Sequence, residues 1–316
     1  MRPQVLIATR TFGSTSEEPW RILSEAGCEY GRIDITSATE DQMIASFENV
    51  DAAIVGGRPI TAAMIAGANR LRVIAMHGIG VDHIDRAAAQ RKGVVVANAP
   101  GANSDSVADL TFGLMLAAFR RIPQQAQALV GGAWTSEVGF ELWQKTIGIV
   151  GLGHIGRAVA RRAHGFEMCV LAYDPMLPEE AFAASGSRSV SLEELLASSD
   201  VVTLHAPSTP ATRGLINADR LQSMKRTAFL INTARGDLVD EDALYHALST
   251  SGIAGAGLDV YAEEPPTKSR LLVLPNVVAT PHIGSHTEEA VTRASVMSAQ
   301  NVVEVLRTGA AKWPAW

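Results

Sequence analysis

Short runs of consecutive apolar residues alternate along the chain with longer segments whose apolar positions recur every three or four residues. From the middle onward the short runs predict strands at Thr146–Val150, Cys169–Tyr173, Val201–Leu204, Ala228–Asn232, Gly255–Leu258 and Val277–Thr280. Most are continuous rather than alternating, as expected of strands covered on both faces. The segments between them predict helices at His154–His164, Leu192–Ser198, Arg220–Met224 and Glu241–Thr250. Strand and helix in alternation imply a parallel, doubly wound sheet, and right-handed crossovers place helices on both of its faces. The first hundred residues repeat this grammar. Strands are predicted at Val5–Ala8, Ala52–Val55, Val73–Ala75 and Val94–Ala97, with helices at Pro19–Ala26, Glu40–Phe47, Ala62–Ala66 and Ile84–Lys92.

Two such layers in one chain predict two α/β domains. The joint falls in NAPGAN, Asn98–Asn103, where Pro and Gly break both kinds of structure. A helical run follows, with Ser104 or Asp105 as its N-cap and apolar residues through Ala118. Gly131 and Gly132 end the helical region, a second joint lies near Gly284–Thr287, and a last helix, Glu288–Arg307, returns to the first domain.

Composition narrows the function classes. The chain has 316 residues, enough for two domains, with 47 % hydrophobic and 19 % charged residues. Its formal net charge of −6 argues against a nucleic-acid scaffold. Two cysteines, Cys28 and Cys169, make no disulfide framework and read as packed thiols in a reducing compartment. The N-terminal apolar run is too short for a signal peptide, and the longest one, near Leu110–Phe119, is too short to span a bilayer. The expectation is a cytoplasmic protein with no membrane or nucleic-acid partner. No His/Asp/Glu set has metal-ligand spacing, so no metal is expected.

The stretch GIVGLGHIGRAVA, Gly148–Ala160, carries the first chemical signal. Gly151, Gly153 and Gly156 join a predicted strand to a predicted helix. They serve a tight turn, close approach to a pyrophosphate, and close packing of helix on strand, respectively. The amides around His154 and Ile155 open the helix and offer a positive dipole end to phosphates. Asp174 ends the next strand 18 residues after Gly156, where a carboxylate accepts hydrogen bonds from ribose hydroxyls. The residues after it, MLPEE, supply acid rather than Arg, so NAD is expected and NADP is disfavoured.

Ligands of open α/β sheets bind beyond the carboxyl ends of the strands. There the sequence places His205, Thr233, Arg235, Asp259 and His282, with Glu264 shortly after Asp259. Each has an ordinary structural reading: a surface Arg paired with Asp237 or Asp240, a turn His, a solvated turn acid. Together they make a chemically complete set. His282 suits proton transfer near neutral pH, a carboxylate at Glu264 orients the ring and favours its charged form, and Arg235 holds a substrate carboxylate with its planar fork. A nicotinamide carries the hydride.

These stretches resemble the D-isomer-specific 2-hydroxyacid dehydrogenases, in particular the D-3-phosphoglycerate dehydrogenases. The likeness rests on GIGVDHID, NAPGANSDSVADLTFGLML, KTIGIVGLGHIGR, AYDP, INTARGDLVDEDAL, GLDVYAEEPP and TPHIGSHT, and runs from about Val50 to Thr287. It implies two Rossmann-like or flavodoxin-like domains with parallel sheets and an active site in the cleft between them. Residues 1–98 with 287–316 would bind substrate, and 99–286 would bind NAD. A short form without a regulatory domain is expected. By resemblance Arg235, Glu264 and His282 are catalytic, and Asp259 holds the nicotinamide carboxamide. The backbone around His77, Gly78, Ile79 and Gly80 grips the substrate carboxylate. His205 and Thr233 line the cofactor site. The family also implies a homodimer, with the helix at Ser104–Phe119 either in its interface or in the core.

Departures from the family pattern restrict the substrate. Where phosphoglycerate dehydrogenases often carry Arg, IVGGRPIT has Gly56, with Arg58 slightly later. Arg58 either contacts a substrate phosphate or is a bystander, and His77 either reaches substrate or is structural. Ile79 stands where phosphite-oxidising relatives have Lys, and Glu264 where formate-oxidising relatives have Gln, so neither substrate is expected. The leading expectation is an NAD-dependent D-2-hydroxyacid dehydrogenase or 2-oxoacid reductase. The alternative is an NADH-sensing binding protein without significant turnover. A different Rossmann enzyme, such as an NAD-dependent hydrolase, would need other residues at Arg235, Glu264 and His282.

Overall fold

The computed structural model describes residues 2–134 and 136–316. The chain divides into two compact units, Met1–Asn103 with Ser285–Trp316, and Ser104–Gly284. In order, the first unit contributes β1 (Gln4–Ala8), α1 (Glu18–Glu25), β2 (Glu29–Arg32), α2 (Glu40–Phe47), β3 (Ala52–Val55), α3 (Ala62–Gly67), β4 (Val73–Met76), α4 (Arg86–Lys92) and β5 (Val95–Ala97). The second begins with α5 (Ser104–Phe119), α6 (Ile122–Val130), β6 (Thr146–Val150), α7 (His154–Gly165), β7 (Cys169–Tyr173), α8 (Glu179–Ala184) and β8 (Arg188–Ser189). It continues with α9 (Leu192–Ser198), β9 (Val201–Leu204), α10 (Ala218–Ser223), β10 (Phe229–Asn232), α11 (Glu241–Ser249), β11 (Gly255–Leu258) and β12 (Val277–Ala279). The last helix, α12 (Glu288–Thr308), belongs to the first unit.

The first sheet has the order β2-β1-β3-β4-β5 and the second β12-β11-β10-β9-β6-β7-β8, with parallel strands throughout. The first is the flavodoxin-like order and the second the Rossmann order, whose switch point lies between β6 and β9. Alternate side chains feed opposite cores. Ile147 and Ile149 of β6 join the cluster under α5 and α7, whereas Val150 joins Leu204 and Leu230 under α9–α11. Val5 and Ile7 of β1 pack against α12 residues, while Leu6 and Ala8 face α2 and α3. Short polar side chains start several helices: Thr39 forms a capping box with Gln42, and Ser191, Asn217, Asp240 and Thr287 each cap a helix.

Several boundaries differ from the sequence reading. Asn98–Asn103 stays with the first unit because its backbone is still bonded there: Asn98 N–H donates to Trp313 O, Ala99 N–H to Gly78 O, and Ala102 O accepts from Arg293. The helix already includes Ser104, which is therefore not its flanking cap, and Asp105 pairs instead with Arg161 and Arg162. Edge strands β2 and β8 and helix α8 carry no apolar signal that predicts them, and β2 is wholly exposed; α6, which buries no residue, ends at Gly131 as expected. Helix α5 is core, with Val107, Ala108, Phe112, Leu114 and Met115 buried. Cys28 is buried as expected, but Cys169 is exposed at the start of β7. Among the described residues no helix is long and apolar enough to cross a membrane.

Ile149 lies fully buried in β6, two residues before Gly151. Ile149→Ala is expected to cost about 2–5 kcal/mol through lost contacts and the residual cavity. Urea unfolding followed by circular dichroism should show the main transition of the second unit shifted to lower denaturant; an unshifted midpoint would remove this residue from the core.

Candidate active site

In the second sheet the register aligns Val150 with Tyr173 and Leu204, so Gly151, Asp174 and His205 leave the carboxyl edge side by side. Gly151 has φ +92°, and a Cβ there would press on the His205–Ala206 backbone. A Cβ on Gly156 would collide with the Gly151 carbonyl, whereas one on Gly153 would meet nothing within 4 Å. The two outer glycines thus serve the turn itself, and the middle one keeps an approach open. No side chain caps α7, so the first-turn amides of His154, Ile155 and Gly156 keep their hydrogens for a ligand. The His154 side chain is exposed, and Ile155 packs partly against the core.

Asp174 Oδ2 accepts the Leu152 N–H at 2.9 Å and Oδ1 the Met176 N–H at 3.0 Å. A carboxylate has about four lone-pair directions, so each oxygen can still accept one hydroxyl. His205 donates or accepts through Nε2 with Thr203 Oγ1 at 2.9 Å, while its buried Nδ1 has no protein partner. Burial lowers its pKa to about 3, so it is neutral. Thr233 is buried and its hydroxyl meets Thr111. An uncapped helix start behind an open glycine, a carboxylate with remaining lone pairs and an orphaned imidazole nitrogen fit a dinucleotide.

The same edge carries the second constellation. Asn232, Leu258 and Ala279 lie in register with one another, so the segments after β10, β11 and β12 emerge together. After β10, the buried Asn232 folds the turn over itself: its Nδ2 donates to Arg235 O and its Oδ1 accepts from Ala234 N–H. Gly236 follows Arg235, and any Cβ on it would overlap the Tyr261–Ala262 backbone. That contact sets the Arg235 segment directly against the loop carrying Glu264.

After β11, Asp259 is 1 % exposed. Its carboxylate takes the Thr280 hydroxyl at 2.6 Å and the amides of Ile283 and Gly284 at 2.8 Å each. Sequence reading gave Asp259 to the cofactor alone; the structure also makes it the clasp of the His282 turn. His282 within that turn has φ +53°, a conformation uncommon for a residue with a Cβ. Its Nδ1 lies 2.7 Å from Glu264 Oε2, and Glu264 Oε1 accepts the Tyr261 N–H. The hydrogen bond and charge of Glu264 raise the His282 pKa above 6.5, with Asp259 helping and burial and Arg235 opposing. Burial would raise the Glu264 pKa, but His282, the Tyr261 amide and Arg235 outweigh it and bring it below the usual carboxylate value. Arg235 therefore lies within electrostatic reach of both.

Three supports, Asn232, Tyr261 and Glu241, are not singled out by the sequence reading, although each lies in a stretch that carries the family likeness. The Tyr261 hydroxyl donates to Leu258 O or Thr280 O, and its pKa is pushed up to about 12 by burial and nearby carboxylates. Glu241 accepts the Ala262 N–H at 2.7 Å.

In the first unit Arg58 and His77, each left with two readings by the sequence, have partners within the protein. Arg58 donates Nη1 to Ile35 O at 2.6 Å and Nη2 to Ala38 O at 2.7 Å, so its fork fastens the loop after β2 rather than standing ready for a phosphate. His77 turns Nε2 to Ser295 Oγ of α12 at 2.8 Å, and burial lowers its pKa to about 4; its ring is a structural anchor. The turn Gly78–Gly80 follows β4, with Gly78 at φ +150°. Among the described residues no group of three or more His, Cys, Asp or Glu is placed to hold a metal.

Comparison with known proteins gives this geometry a context. Residues 112–284 match the model of the D-isomer specific 2-hydroxyacid dehydrogenase, NAD binding domain. A D-3-phosphoglycerate dehydrogenase from Methanocaldococcus jannaschii is 44 % identical over 284 residues, covering 88 % of this chain and 54 % of the relative. A hydroxypyruvate reductase from Thermotoga maritima is 40 % identical, covering 87 % and 91 %. The crystal structure of a glyoxylate reductase from Paecilomyes thermophila superposes with a TM-score of 0.89 at 29 % identity, covering 99 % and 98 %. The chain spans about half the length of the phosphoglycerate dehydrogenases it matches.

The His282–Glu264 pair yields a direct expectation. Titration of the His282 ring by NMR should give a midpoint above 6.5, and Glu264→Gln should move it down. The charged ring is favoured in the folded protein, so its contribution to stability is complete below the unfolded pKa and is lost as pH rises through the folded one. An unmoved midpoint in the variant would show that Glu264 does not hold the ring.

Proposed function

The chain belongs to the D-isomer specific 2-hydroxyacid dehydrogenase family, and from that premise we propose that it is an NAD-dependent D-2-hydroxyacid dehydrogenase working in the cytoplasm on a small 2-hydroxy or 2-oxo acid. The observation that carries this reading is the His282–Glu264 pair beside Arg235 at the carboxyl edge of an NAD-binding sheet. The second unit is the NAD unit and the first the substrate unit. Gly151, Gly153 and the amides of His154, Ile155 and Gly156 would hold the pyrophosphate, and Asp174 the ribose. His205, Thr233 and Asp259 would line the nicotinamide half. When bound, the nicotinamide supplies or accepts the hydride at C2 of the acid.

The protein's own part is proton handling and positioning. Because Nδ1 of His282 faces Glu264, Nε2 is the nitrogen left for substrate. In reduction the imidazolium gives its Nε2 proton to the developing alkoxide; in oxidation the neutral ring takes the hydroxyl proton there. Arg235 holds the substrate carboxylate and polarises the neighbouring carbonyl. The amides of the Gly78–Gly80 turn form a second anion site in the first unit, also suited to a carboxylate. With the fork of Arg58 engaged by backbone, a phosphorylated acid would have to find another cation.

A homodimer completes the reading. Many of the exposed apolar side chains of the second unit fall on α6 and the segment after it, including Leu129, Val130, Trp134 and Val138. A patch of this kind on an acidic chain suits a second copy of itself. Light scattering should give twice the chain mass, and Trp134→Glu with Val138→Glu should give a monomer; a monomeric wild type would end the proposal.

The deciding measurement for activity is NADH consumption with a panel of 2-oxo acids: glyoxylate, hydroxypyruvate, and a phosphorylated and a sulfonated pyruvate. Turnover of at least one acid, much faster with NADH than with NADPH, is expected. His282→Ala should lower kcat by about 10²- to 10⁴-fold while NADH still binds. Tight NADH binding without turnover of any acid would support the NADH-sensing alternative instead.

A further inference from the structure

We propose that Asn98 is a positioning residue that turns the amides of Ile79 and Gly80 toward the carboxylate of the substrate. The inference rests on the proposed function for its ligand, but its geometry lies wholly within the first unit. A trans peptide is planar, and its C=O and N–H point in opposite directions. The Gly78 carbonyl accepts the Ala99 N–H at 2.8 Å, and the Ile79 carbonyl accepts Asn98 Nδ2–H at 2.9 Å. Both carbonyls are therefore drawn to the same short segment. The amide of each following residue, Ile79 and then Gly80, must point the other way. Neither amide has a hydrogen-bond acceptor among the described residues. Two successive N–H groups aimed to one side form an anion-binding nest.

Asn98 is itself braced. Its N–H donates to Trp313 O at 3.1 Å and its carbonyl accepts Asn301 Nδ2 at 2.9 Å. Asn301 is fully buried on α12, and its Oδ1 accepts the Trp313 N–H. The Asn98 main chain is thus fixed from α12, which leaves its side chain to fix the turn. Gly78, at φ +150°, gives the turn the backbone freedom that this arrangement requires. Replacing the Asn98 side chain removes one donor and leaves its main-chain bonds in place. The Gly78–Ile79 peptide stays held by Ala99, while the Ile79–Gly80 peptide is released.

Two uncharged variants, Asn98→Ala and Asn98→Leu, test this. Steady-state kinetics with glyoxylate and hydroxypyruvate are expected to show KM raised on the order of tenfold, with NADH affinity unchanged. A residue needed only for folding would lower Tm and the active fraction without moving KM. In parallel, oxamate is titrated into ¹⁵N-labelled protein with NADH present. The Ile79 and Gly80 amide resonances should shift in the wild type and respond much less in the variants. Unchanged KM in both variants overturns the proposal, as do equal amide shifts in wild type and variants, or loss of fold in both. If the wild type turns over no 2-oxo acid, the proposed function falls. The oxamate titration then judges Asn98 alone, and Ile79 and Gly80 amides that stay still in the wild type overturn this proposal too.

Discussion

The candidate site depends on one buried charge. Asp259 is almost fully removed from water, and a carboxylate there is tolerable only if donors surround it. The segment after β12 supplies them: one hydroxyl and two successive amides, all within 2.8 Å. To deliver those amides the chain must double back sharply, and His282 takes a left-handed conformation inside the turn. The cost of that conformation is offset by the hydrogen bonds that the carboxylate receives. The same doubling back presents the imidazole to Glu264. A shorter or uncharged residue at position 259 would leave the turn without its clasp, and the ring without a fixed direction.

Parallel register supplies the rest. Because the strands of the second sheet end level with one another, the groups following them share one edge without any long excursion of the chain. Close approaches then set the fine geometry. Gly156 on Gly151 fixes α7 against β6, and Gly236 on Tyr261 fixes the Arg235 turn against the Glu264 loop. Both contacts are between backbones, which are stiffer than side chains and hold position better.

This explains what could and could not be read from the sequence. Buried strands were legible because continuous apolar runs have few other uses, and β6, β7, β9 and β11 begin and end where the runs do. Strands β2 and β8 were not, because β2 is wholly exposed and β8 is two residues long with neither buried, whereas the edge strands β5 and β12 keep an apolar run. Arg235, Glu264 and His282, which the structure brings to one sheet edge, could be picked out because few polar side chains follow the buried strands. Their holders could not: Asn232, Tyr261 and Asn98 act through bonds to backbone atoms whose positions only the fold determines. Arg58 and His77 stayed open between a substrate role and a structural one for the same reason. A cation or an imidazole near a strand end looks available until the carbonyls of Ile35 and Ala38, or the hydroxyl of Ser295, are seen to engage it.

The electrostatics of the three side chains have a direction built into them. Glu264 raises the pKa of His282, and Arg235 lowers it. Arg235 also helps hold Glu264 ionised, so it acts on the ring in two opposed ways, directly through its charge and indirectly through the carboxylate. An anion paired with the guanidinium offsets the direct effect, because the field of a paired charge falls off faster than that of a lone one. Under the proposed chemistry, the arriving substrate carboxylate thus favours the protonated ring just when a proton is to be given to the developing alkoxide. Product leaving restores the opposition and lets the ring exchange its proton with solvent, for which its partial exposure is suited.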